Sequence, residues 1–332
     1  MTPVLAAARY WARAVEEAGE AFGRRIRIDA AQVLDRGSEL ALGSPGSRSA
    51  NRSARMVRAA DGWLAVNLPR AEDLEMLPAL LERAIDGDPW RALILAVREH
   101  ACAEIRDRAR LLGLPISTVG EVAAPRVPVP VQRFGVPRSR SGPVRVVDLT
   151  SLWAGPLCAA LLAEAGAEVT RYESLYRPDP TREAAPRFYH RLNGTKTRMT
   201  VDFGSAAGRA ILAEAIAGAD IVITSARARA FDALGLSPEA MFARNPGLVW
   251  VAITGHGWAS DRVAFGDDAA AAGGLVRWTQ GGAPRFLGDA IADPLTGMAG
   301  AAAAMRAMAD GGGVLIDAAL ARVAAASHKP VE

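Results

Sequence analysis

From residue 144 onward, four short strand-like runs recur at intervals too long for hairpins: VRVVDL at 144–149, VTRYE at 169–173, DIVIT at 220–224 and LVWVAIT at 248–254. Between successive runs lie segments of helical period, 157–165, 206–217 and 237–244. Gly155-Pro156 opens the first of these, and Ser237-Pro238 supplies an N-cap and a first-turn proline to the last. Valine- and isoleucine-rich strands joined through helices need crossover connections, which build a parallel sheet buried on both faces. The pattern predicts an α/β fold, a doubly wound parallel sheet forming a Rossmann-like large domain.

The upstream region follows another pattern. Residues 60–68 (ADGWLAVNL) read as a turn and an alternating strand, and helical period follows at 73–84, 89–97 and 102–112. A smaller α+β domain is expected there. Ahead of it, 42–53 (LGSPGSRSANRS) is a polar Gly/Ser loop, long enough to be functional or disordered. Between the two regions, 125–143 carries prolines at 125, 128, 130, 137 and 143. Proline fixes φ and removes a ladder donor, so this stretch reads as an extended, irregular linker. The expected division is a small-domain-like segment at 1–124, the linker at 125–143 and an α/β catalytic domain at 144–332.

Composition closes off several function classes. Half of the 332 residues are apolar, and 39 basic side chains nearly balance 36 acidic ones, so a sizeable core is expected without a concentrated charge. Arg133, Arg138, Arg140 and Arg145 are spread along the proline-rich stretch with few aromatics beside them. They read as a solvated linker, not a nucleic-acid arm. Two cysteines, Cys102 and Cys158, suggest neither a disulfide framework nor a zinc site, and the histidines at 100, 190, 256 and 328 show no ligand spacing. No uncharged apolar run reaches the roughly 18 residues of a membrane span. Glu16, Glu17 and Glu20 at helical spacing argue against a cleaved leader, so a cytoplasmic protein is expected.

Several motifs then fall in order. Residues 146–174 (VVDLTSLWAGPLCAALLAEAGAEVTRYES) give a strand, a small-residue turn ending in Ala-Gly-Pro, a helix and a strand ending in Glu. Asp179-Pro-Thr-Arg182 follows, then LNGTKT at 192–197 with Asn193 and Lys196, the run LGLSPEAMFARNPGLVWVAITGHG at 234–257, and IADPLTGMAGAAAAMRAM at 291–308. In this order the chain resembles the family III (CaiB/BaiF-type) CoA-transferases. The segments DGWLAVNLPR and LLGLPISTVGEVAAP resemble the small domain that the family carries after its large one, so the order resembles a circular permutation.

The resemblance implies a transferase that moves CoA between an acyl-CoA thioester and a free carboxylic acid through an aspartyl intermediate on Asp293. Coenzyme A would be a substrate, with no metal and no tightly bound cofactor, and a homodimer is implied. It places Trp153, Ala154 and Gly155 against CoA at the first strand-to-helix turn, and Arg182 and Lys196 at CoA phosphates. Arg227 would lie on the adenine side, although Ser225-Ala226 departs from the family's Asn-Phe, and His256 would form part of the CoA wall. The Gly/Ser loop 42–53 would cover the site.

Each residue also has a plainer reading. Asp293 before Pro294 reads as an N-cap, Asp267-Asp268 as a helix start, Asp289 as a solvated turn, and Gly155 as tight strand–helix packing. Two other functions stay open. A 2-methylacyl-CoA racemase needs a second proton-transfer group facing Asp293, and Asp267 stands where its His would fall. A catalytically silent CoA-binding subunit is suggested by the departure at Ser225-Ala226 and by the domain order.

Overall fold

A computed structural model describes residues 3–139 and 142–328. In the N-terminal region, strands β1 (Ala54–Arg58), β2 (Trp63–Asn67) and β3 (Ile116–Thr118) form an antiparallel sheet in that order. Alternation sorts its faces. Leu64 and Val66 point to a core with Leu77, Leu80, Leu93 and Ile105 from the covering helices. Ala54, Met56 and Ala65 point the other way, onto Ala271, Val276 and Phe286 of the C-terminal region. Two alanines on that face let a helix of the large domain approach the sheet closely.

The large sheet contains β4 (Val131–Arg133), β5 (Arg145–Leu149), β6 (Glu168–Ser174), β7 (Thr197–Val201), β8 (Ile221–Thr224), β9 (Val249–Thr254) and β12 (Val314–Ala319). A separate hairpin joins β10 (Val276–Trp278) to β11 (Pro284–Phe286). The strand order is β4-β12-β9-β8-β5-β6-β7, and every pairing is parallel except β4 with β12. The chain runs outward from β5 through β6 and β7, then resumes on the other side of β5 with β8. A doubly wound sheet binds ligands at the carboxyl ends of its strands where the order reverses. Here the order reverses between β5 and β8, so the expected crevice lies at their ends, where Ser151 N–H donates to Ser225 Oγ at 3.3 Å.

The helix Ala292–Ala309 forms the centre of the core and is buried along nearly its whole length. Its small residues set the packing distance. A Cβ on Gly297 would lie 2.7 Å from the Ala154 carbonyl oxygen and 3.1 Å from Leu157 Cβ, so the helix Ala154–Glu164 can touch it only at a glycine. The N-terminal helix Pro3–Phe22 packs here too, burying the stripe Val4, Ala7, Ala8, Trp11, Val15 and Ala18. Trp11 Nε1 donates to Ser327 Oγ at 3.0 Å. Part of the segment 1–124 thus belongs to the core of the large domain.

Within the stretch expected as an irregular linker, three residues form an edge strand of the sheet. Val131–Arg133 pairs with β12, and Pro130 accepts a hydrogen bond from Asp317 N–H at 2.9 Å. Prolines bracket this strand, where an edge tolerates a missing donor. Arg133 donates to the Gly312 carbonyl at 2.6 Å, in a turn where Gly311, Gly312 and Gly313 all have positive φ. Arg140 lies outside the described residues. No described helix is long and apolar enough to cross a membrane.

Candidate active site

Asp293 lies in the first turn of the helix Ala292–Ala309, but it is not the N-cap: the cap is Ile291, and no side chain bonds the free N–H groups there. Its half-buried carboxylate packs against Gly266 of a neighbouring helix. A Cβ on Gly266 would fall 2.3 Å from Asp293 Oδ2 and 2.4 Å from the Ala290 carbonyl, so only glycine admits this approach. Asp293 N–H in turn donates to Ala290 O at 2.9 Å. Ala290 has φ +44, a conformation costing an L-residue on the order of 1–3 kcal/mol and kept only where the surroundings impose it. Asp267 imposes it here, its Oδ1 accepting from Ala290 N–H at 2.8 Å.

Asp267, Asp268 and Asp289 surround this turn, and each meets a side chain from the N-terminal region. Asn51 of the Gly/Ser loop donates to Asp267 Oδ2 at 2.9 Å. Asn67, at the end of β2, donates to Asp268 Oδ1 at 2.9 Å. Arg36 Nε donates to Asp289 Oδ2 at 2.5 Å. The same guanidinium stands over the Trp153 ring at 4.4 Å and the Phe188 ring at 5.2 Å, two rings set edge to face. Asp289 is therefore no solvated turn, because a partner 253 residues away in sequence seals it.

Crowded carboxyls in a site poor in water favour protonation. Burial pushes Asp293 up to about 7, with the Arg36 charge and the Gly266 N–H opposing and Asp267 and Asp289 reinforcing. Burial pushes Asp267 to about 6 against the bonds from Ala290 and Asn51. Asp268 is raised well above the usual carboxylate range, again by burial, and its Oδ2 is buried without a hydrogen-bond partner. Asp293 thus sits near the midpoint of its titration at neutral pH, at the end of a helix whose free N–H groups favour an anion.

The residues expected around CoA divide into two groups. Trp153, Ala154 and Gly155 are buried at the turn after β5, beside the switch-point crevice. Gly155 packs against Thr150, where a Cβ would meet side-chain atoms at 2.3 Å, and Arg36 covers one face of Trp153. Leu152, at φ +71, is held by Asp179, whose carboxylate accepts its N–H at 3.0 Å.

Lys196 is not placed to meet a phosphate. Its three ammonium hydrogens go to Asp148 at 2.8 Å and to Pro156 O and Asn193 Oδ1 at 2.9 Å, all inside the core. Together with Arg171, which donates to Asp179 at 2.8 Å, it holds the turn that carries Trp153. Arg182 pairs with Glu173 and donates to Tyr189 Oη at 3.2 Å, leaving much of its side chain exposed. Arg227 is at the other wall of the crevice, bonded to the Asp261 carbonyl at 3.3 Å. His256 faces the small sheet, 3.4 Å from Ser117 Oγ, and burial together with Arg262 and Arg106 lowers it to about 3.

Arg36, Asn51, Asn67 and Phe188 are the site residues that sequence reasoning missed. The one usable signal was the Gly/Ser loop itself, which contains Asn51.

The profile of CoA-transferase family III matches residues 142–331. Succinyl-CoA–D-citramalate CoA-transferase of Chloroflexus aurantiacus is 31% identical over 180 residues, 50% of this chain and 44% of that protein. Succinate–glutarate CoA-transferase of Agrobacterium fabrum is 32% identical over 205 residues, 55% of this chain and 51% of that protein. The chain spans about half the length of the curated relatives it matches. Among solved structures, a CaiB/BaiF family protein from Brucella suis superposes with a TM-score of 0.50 at 30% identity, over 55% of this chain and 53% of that one. A Mycobacterium tuberculosis protein gives 0.51 at 26% identity, over 57% and 55%. With the family profile covering more than half of its length, the chain belongs to CoA-transferase family III.

Proposed function

We propose that the protein transfers CoA from an acyl-CoA to a free carboxylic acid with Asp293 as the nucleophile. The observation that carries this reading is the placement of Asp293. It is a carboxyl raised by burial to about 7, in the first turn of the core helix and packed against Gly266. In its ionised form Asp293 attacks the thioester carbonyl and expels CoA thiolate, leaving an aspartyl–acyl anhydride. The thiolate then attacks the aspartyl carbonyl, releasing the donor acid and forming an aspartyl-CoA thioester. The acceptor carboxylate repeats the sequence in reverse, so each hard displacement is split into easier steps. CoA is a substrate throughout, and Trp153, Ala154, Gly155, Arg182, Arg227 and His256 are the residues assigned to its vicinity.

A racemase reading finds less support in the geometry. Asp267 would have to exchange a proton with the substrate, yet both of its oxygens already accept hydrogen bonds from Ala290 and Asn51. The reading also takes the small sheet as the family's displaced second domain, and the protein as a cytoplasmic homodimer.

Incubation with succinyl-CoA, the donor named for the C. aurantiacus relative, tests the central step. Intact-mass spectrometry is expected to show a covalent CoA or acyl adduct that maps to Asp293. The Asp293→Asn variant should bind CoA but form no adduct, with turnover below about a tenth of wild type, more than ~1.4 kcal/mol in barrier. An adduct surviving in that variant would sink the assignment.

A further inference from the structure

We propose that Arg36, from the N-terminal region, is a positioning residue for Asp293: wedged against Trp153 and Phe188 and anchored on Asp289, it supplies the positive charge that lets Asp293 attack as an anion. This rests on the reading of Asp293 as the nucleophile. Ground for it lies in the charges that converge on one turn. Asp267 and Asp268 come from the helix Gly266–Ala272, and Asp289 from the turn before the Asp293 helix. The helix Ala154–Glu164 presents only Trp153, Ala154 and Gly155 at this end, none of them ionisable. Bonded to Asp289 four residues before Asp293, Arg36 brings a cation among these carboxyls and favours the ionised forms of Asp293 and Asp267.

Its seating suits that task. The side chain is 12% exposed, and Nε is committed to Asp289, while the two Nη nitrogens have no hydrogen-bond partner among the described residues. The charge is therefore not consumed by a full set of local bonds. The planar guanidinium lies over two ring faces at once, which fixes its position without a second anion. Lysine would keep the charge but not the stacked plane, and methionine would keep apolar bulk but not the charge. These two substitutions separate electrostatics from packing.

The test is the titration of Asp293 followed by NMR of protein carrying ¹³C-carboxyl aspartate, with the resonance assigned by its loss in Asp293→Asn. In Arg36→Met the Asp293 midpoint should rise by about one pH unit, the scale of losing a nearby opposite charge. Arg36→Lys should stay close to wild type. Arg36→Gln, whose amide can still donate to Asp289, should follow methionine and serves if the methionine variant fails to fold. A midpoint in the neutral variants equal to wild type would overturn the proposal, as would a lysine variant that behaves like methionine. The rate of adduct formation with succinyl-CoA, followed over pH, separates the two assignments. If the midpoint follows the charge at residue 36 but wild type forms no adduct, the transferase reading fails and what stands is the control of Asp293 ionisation by Arg36. If the adduct forms and the midpoint ignores Arg36, the reverse holds.

Discussion

Asp268 shows what a buried carboxyl costs when only half of it is satisfied. Oδ1 accepts from Asn67 and from Phe265 N–H, both at 2.9 Å, while Oδ2 meets no donor. The folded state therefore favours the protonated form, whereas an unfolded aspartate ionises near pH 4. With the folded value raised, this contribution to stability is complete below the unfolded value and is lost as pH rises through the folded one. Asp267 and Asp293 act in the same direction, with folded values of about 6 and about 7. Thermal stability is expected to decline between roughly pH 4 and 7 on their account. Asp268→Asn keeps the Oδ1 acceptor and removes the titration. Its melting temperature should exceed wild type by a few degrees at pH 8, roughly 1–3 kcal/mol, with no gain at pH 4. A gain of equal size at both values, read by calorimetry, would contradict the assignment of a raised Asp268.

At the scale of elements, the site depends on one close approach between two helices. Gly266 packs against Asp293 and leaves no room for a side chain, so Gly266→Ala must push away either the carboxylate or the Ala290 turn. Turnover is expected to fall at least about tenfold, ~1.4 kcal/mol in barrier, while circular dichroism and CoA binding change little. Full activity in that variant would mean that the Gly266–Asp293 contact is dispensable. This level also shows what could be read ahead of the structure. Strands β5, β8 and β9 declare themselves through valine and isoleucine runs at crossover spacing, and the Ala-Asp-Pro-Leu-Thr-Gly run marks the start of the helix that carries Asp293. Arg36, Asn51 and Asn67 carry no such mark. Their partners lie 253, 216 and 201 residues away, and an arginine or asparagine in a loop or at a strand end looks the same whether it faces water or a buried carboxylate. Lys196 misled for the opposite reason. A basic residue beside an expected phosphate site looks like a ligand until its burial against Asp148 is visible. The proline-rich stretch misled as well, because proline excludes a central strand but not an edge.

Across the whole molecule, the N-terminal and C-terminal regions meet at the candidate site around Asp293, and the Gly/Ser loop takes part in that meeting. It is stitched to the large domain at two points: Gly46 O accepts from Phe286 N–H at 2.9 Å, and Asn51 reaches Asp267. Asp267 is bonded to Ala290, three residues before Asp293, so the loop lies beside the turn that carries Asp293. An aspartyl–acyl anhydride hydrolyses readily, and a transferase must keep water from it while one acid leaves and another enters. Glycine and serine allow a backbone to open for exchange and close again without large strain. Deleting residues 44–47 should thus raise hydrolysis of acyl-CoA relative to transfer by several-fold, with Asp293 still forming its adduct. Parallel assays for free CoA release with and without acceptor acid measure that ratio. Were the loop only a surface connection, the deletion would lower both rates together or neither, and the ratio would stay at its wild-type value.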